Sequence, residues 1–77
     1  MYRKFSIFEV REIPATDIRP VRVWIEGEKW SRSLSLKEGF TFIEQAITML
    51  GEQGFRVIGW EEISQSVYKV VALRHDT

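Results

Sequence analysis

At 77 residues, with 44% hydrophobic and 13% aromatic side chains, the chain is one small domain with apolar material for a core, which excludes a disordered segment. Eleven basic side chains balance eleven acidic ones, so the electrostatic footprint of a general nucleic-acid binder is missing. There is no cysteine, hence no disulfide framework and no thiolate zinc site, and stability must come from apolar burial supplemented by self-association.

The N-terminus, "MYRKFSIFEV", places apolar residues after basic ones, but Glu9 and Arg11 interrupt the run. It lacks the long apolar core and small-residue cleavage site of a signal peptide. No stretch approaches the roughly 20 apolar residues of a membrane span. These features lead us to expect a soluble, cytoplasmic protein.

Residues 2–13, "YRKFSIFEVREI", are rich in β-branched and aromatic types and read as a strand. The alternation is imperfect, because Phe5 and Ile7 share one parity while Phe8 and Val10 share the other. Either both faces of this strand are buried, or a bulge near Ile7 switches the parity. The next segment, "PATDIRP", is a proline-bracketed loop and the segment expected to be mobile.

Residues 21–35 read as a β-hairpin. A two-residue Gly27-Glu28 turn would pair Glu26 with Lys29, Ile25 with Trp30, Val23 with Arg32 and Val21 with Leu34. Val21, Val23, Ile25, Trp30 and Leu34 then share the core face. Arg22, Trp24, Glu26, Lys29, Ser31 and Ser33 share the other, which puts a tryptophan where water is expected.

Leu36, Phe40, Ile43, Ile47 and Leu50 step by helical intervals, and Phe42, Ala46 and Met49 widen the apolar stripe. Thr41, Glu44, Gln45, Thr48 and Glu52 fill the polar half. Two capping boxes compete, Ser35 with Glu38 and Thr41 with Glu44. The stripe begins at Leu36 and favours the first, at a cost of about 1 kcal/mol for Gly39 inside the helix. If that cost prevails, the helix starts at Thr41. Gly54 fits the left-handed position after the helix, with Phe55 folding back on Leu50.

"FRVIGWEEI" and "SVYKVVALR" are two further strands, joined around residues 63–65, and both carry apolar residues on both parities. The order is βββαββ. The expected fold is therefore a single α+β domain over residues 1–77, a mainly antiparallel sheet of about five strands with one helix on one face. Its core is Val21, Val23, Ile25, Trp30, Leu34, Leu36, Phe40, Ile43, Ile47, Leu50 and Phe55, with apolar residues from 57–73. One helix covers one sheet face, and these strands hold more apolar surface than it can hide, so the second face should be buried in a dimer, packed on a partner, or unusually apolar for a monomer.

Catalytic ingredients are scarce. His75 is the sole histidine and is the third residue from the end. Glu61 and Glu62 are adjacent, and neighbours on a strand point to opposite faces, so they do not form an acid–base pair. "GEQGF" follows a helix, where a phosphate-binding glycine loop should open one. No cofactor, metal or catalytic residue is expected, and no enzymatic activity.

Tryptophan, tyrosine and arginine dominate interface hot spots. Arg22, Trp24 and Lys29, joined by Trp60 and Tyr68 if these share the same face, are the candidate partner-binding residues. The leading expectation is a protein-interaction module, homodimeric, acting as an adaptor or as a small inhibitor of a larger complex, of the kind a phage or plasmid carries. One alternative is single-stranded nucleic-acid binding through Arg22, Trp24 and Lys29. Another is a small-molecule site at a dimer interface.

Overall fold

The computed structural model describes residues 2–75 of the chain, with side chains described over residues 5–74. Five strands form one antiparallel sheet: β1 (Tyr2–Ile13), β2 (Arg22–Glu26), β3 (Ser31–Ser35), β4 (Phe55–Ser64) and β5 (Val67–His75). The one helix, α1 (Phe42–Glu52), lies between β3 and β4 in the chain. The expected βββαββ order and α+β class are both observed.

The spatial order is β3-β2-β1-β5-β4, so the first and last strands meet in the middle of the sheet. β1 is long enough to pair along β5 from Tyr2 to Arg11 and, at its far end, with β2 from Glu9 to Ile13. β3 and β4 are the opposite edges, and α1 carries the chain between them.

Alternation in β1 puts Phe8 and Val10 on the helix side. There they join Val23, Ile25, Val70, Ala72, Ala46 and Leu50 in a fully buried cluster. The rings of Trp30 and Phe55 meet Phe8 edge-on, with centroids 5.6 and 4.9 Å away. Leu34, Leu36, Ile43 and Phe55 pack around this core, as their spacing foretold. Phe40 does not: it precedes the helix and is 47% exposed.

No bulge interrupts β1 near Ile7. Its pairing with β5 runs unbroken from Lys4 to Arg11, and the single irregularity lies between Tyr2 and Lys4. The odd residues Phe5 and Ile7 simply stay on the open face. The β2–β3 register is displaced by two residues from the expected one, with Val23 opposite Leu34, Ile25 opposite Arg32 and Glu26 opposite Ser31. A shift of two preserves every face. It arises because residues 27–30 form the turn, closed by the Gly27 N–H donating to the Trp30 carbonyl at 2.7 Å.

The helix begins at the second capping box. The Thr41 hydroxyl and backbone N–H both donate to Glu44 Oε1, at 2.7 and 3.2 Å, and the Glu44 N–H donates back to Thr41 Oγ1 at 3.2 Å. Gly39 decides this, because it adopts φ +87°, a left-handed conformation that a helix interior cannot contain. Gln45, assigned by pattern to the polar half, is buried. It lies three residues after Phe42 and four before Met49, within the apolar stripe, and only its amide disguised it. After the helix, Gly54 has φ +91° and Phe55 turns in against the cluster containing Leu50.

Candidate interaction surface

The registers across the sheet map the face opposite the helix, because antiparallel partners point the same way. One row runs Arg56, Leu73, Phe5, and the next Gly59, Val71, Ile7. Ile58 is the extra residue where the β4 register shifts, between Val57 and Gly59. A third row is charged: Glu61, Lys69, Glu9, Glu26, Ser31. Beyond it come Val67, Arg11, Trp24, Ser33, and finally Ile13, Arg22, Ser35.

This face has two characters. Around the first half of β1 it is apolar, with Phe5 71%, Ile7 55% and Ile58 48% exposed and Val71 and Leu73 half-buried between them. A small Gly59 lies at the edge of this band, and nothing stands within 4 Å of where its Cβ would be. Around β2 and β3 the face is polar and internally bonded. Arg22 donates to Ser33 Oγ at 2.8 Å and to Ser35 Oγ at 3.1 Å. Arg11 pairs with Glu9, and Trp24 Nε1 donates to Glu26 Oε1 at 3.4 Å.

The expected partner-binding residues are therefore divided among three places. Arg22 and Trp24 are neighbours on the open face, with Trp24 half-buried among its own strand neighbours. Lys29 lies in the turn between β2 and β3, because the actual register gives Glu26 to Ser31. Trp60 and Tyr68 do not share the face of Trp24. Trp60 is opposite Val70 and Tyr68 is opposite Val10, and both valines are buried beneath the helix. The Tyr68 ring meets Phe42 of α1 edge-on at 5.5 Å, while Trp60, toward the end of β4, is 52% exposed.

Phe5, Ile7 and Ile58 are the exposed surface that residue-type reasoning passed over. The signal was present in the off-parity phenylalanine and isoleucine of "FSIFEV", which fit no single buried face.

The chemical inventory is sparse among the described residues. Glu61 is opposite Lys69 and Glu62 is opposite Tyr68, on different faces, so the adjacent carboxylates diverge. No group of three or more histidine, aspartate or glutamate side chains is arranged to hold a metal among the described residues. The side chain of His75 lies outside the described residues. Glu44 has its carboxyl held below the usual range by the Thr41 hydroxyl first and the Thr41 N–H second, which is the helix cap and not a reactive centre. Among the described residues, no helix is long and apolar enough to cross a membrane. Comparison with protein-family models, with curated proteins and with solved structures returns no match for this chain.

Proposed function

We propose that the protein is an interaction module that works by covering a surface, and that its first partner is a second copy of itself. The observation that supports this is the apolar band of Phe5, Ile7, Ile58, Val71 and Leu73, left bare on the sheet face that α1 does not reach. Large side chains exposed together on a small domain favour association, because removing them from water is worth about 25 cal/mol per Å². A two-fold arrangement of two such faces would set apolar band on apolar band and leave the charged row at the rim. A module of this kind acts as an adaptor or as a small inhibitor of a larger complex, without chemistry of its own. The cysteine-free composition suits a reducing cytoplasm.

The test is the solution mass by light scattering over a concentration series, for the wild type and for Ile7→Lys. The expected result is a wild-type dimer and a monomeric variant with unchanged circular dichroism. A wild type that stays monomeric at every concentration overturns self-association.

A further inference from the structure

β1 outruns its neighbour. Its register with β2 begins only at Glu9, whereas its register with β5 extends back to Tyr2. Residues 5–8 thus have a strand on the β5 side and, among the described residues, none on the β2 side. The chain leaves the line of β2 at Gly27 and turns through residues 27–30. An unpaired stretch of strand is a template for another strand, since its N–H and C=O groups point outward in alternation.

Beside this stretch is a cavity of about 290 Å³. It is lined by residues 5–8 and 27–30 together with Phe55 and Arg74. The rings of Trp30 and Phe55 against Phe8 make that region apolar and rigid. Its charges are Lys29 and Arg74 against the single carboxylate of Glu28. Neither Lys29 nor Arg74 has an ion-pair partner among the described residues, and the Arg74 guanidinium lies over the Phe55 ring, 5.8 Å from its centroid.

We propose that this notch takes an extended acidic segment of another protein, which adds to the sheet as a strand along residues 5–7 and continues the line of β2 beyond Gly27. Main-chain hydrogen bonds to β1 supply the affinity, and alternate side chains supply the selectivity. Side chains opposite Phe5 and Ile7 fall on the apolar open face and should be apolar. The side chain opposite Ser6 falls on the side of Arg74 and should be a carboxylate that meets Arg74 and Lys29, while Phe8 is already covered by Gly27 and the Trp30 and Phe55 rings. At about 3.3 Å per residue, the bare stretch of residues 5–7 accommodates roughly three residues of ligand. Charge also separates this occupant from a second copy of the chain, which would bring a second Lys29 and Arg74 against the first pair. The proposal stands on the backbone edge and the notch, and does not require the open-face dimer.

The experiment titrates ¹⁵N-labelled protein with the peptide acetyl-Ile-Asp-Ile-Asp-Ile-Asp-amide and follows the amide resonances. Its lysine counterpart and a backbone N-methylated counterpart are the controls. Saturable shifts at residues 5–8 and 27–30 are expected. The lysine peptide should bind at least about tenfold more weakly, and the N-methylated peptide should not bind. Lys29→Glu should weaken the aspartate peptide by about tenfold and strengthen the lysine peptide. The proposal is overturned by no saturable shift at residues 5–8, by shifts centred on the β4 edge, or by equal binding of the aspartate and lysine peptides. It is also overturned if the amides of residues 27–30, outside the open-face band of Phe5 and Ile7, shift on dilution of the protein alone, which would give the edge to a second copy.

Discussion

Gln45 Nε2 donates to the Ser35 carbonyl at 2.8 Å, tying the middle of the helix to the last residue of β3. The Gln45 Oε1 accepts the Lys37 N–H at 2.7 Å, so a single buried amide holds the start of the connection at both Ser35 and Lys37. Gln45→Leu keeps the volume but strands a carbonyl and an N–H, and should cost about 2 kcal/mol in urea unfolding. Gln45→Glu keeps the acceptor and loses the donor. It should be destabilised at neutral pH and recover part of the loss in acid, where a protonated carboxyl can donate to Ser35. A Gln45→Leu midpoint equal to that of the wild type would remove the amide from the fold's essential contacts.

Gly27 is fixed by the ring of Phe8 and not by its own dihedral angles. A Cβ at this position would stand 2.7 Å from Phe8 Cε1 and 2.9 Å from Cδ1. Phe8 cannot yield, because it is buried and held by Trp30 and Phe55. Gly27→Ala should therefore destabilise by about 1–3 kcal/mol as an overpacked site. Gly59→Ala, with open space around it, should cost far less. Thermal unfolding of the two variants side by side checks the contrast.

The Thr41–Glu44 box gives the protein a defined pH response. Thr41→Ala should cost about 1 kcal/mol of stability as a lost N-cap. The Glu44 carboxyl titrates lower in the folded protein than in the unfolded chain, because Thr41 hydrogen bonds favour its charged form. Its stabilising contribution is then complete above the ordinary glutamate range and disappears as pH falls through the lower folded value. The difference in stability between wild type and Glu44→Gln should be flat near neutrality and vanish in acid. A difference that grows on acidification contradicts the capping assignment.

Trp24 has an ordinary explanation in its neighbours. It lies between Arg11 and Ser33 in the sheet, with its indole N–H directed at Glu26. It is one row beyond the charged residues that separate it from the apolar band. Trp24→Ala should change the dimerisation constant by less than about tenfold, whereas Ile7→Lys should abolish dimerisation. Light scattering on both variants decides this, and a dimer split by Trp24→Ala would return the tryptophan to the interface.

Several features were legible in the residues themselves. The stripe in "FIEQAITML" could bury only one helical face, and "VRVWIE" could bury only one side of a strand, so the element order and most core residues followed from period alone. The helix start was also present, as one of two boxes. Choosing between them required the φ of Gly39, which depends on how the chain leaves β3.

What period could not supply was the pairing of strands. β1, β2, β4 and β5 each carry apolar residues enough for a central place, and only assembly shows that β1 and β5 take it while α1 spans from edge to edge. That arrangement decides which surplus apolar residues are buried by the helix, as Phe8 is, and which are left bare, as Phe5 and Ile7 are. It likewise separates Tyr68 from Trp24, and it sets Lys29 beside the unpaired edge of β1. The sequence by itself determined the elements and the sidedness of β2 and of the helix, because those are local consequences of backbone geometry. The tertiary structure alone decided the interaction surfaces, because they are made of residues from distant strands whose adjacency no local pattern encodes.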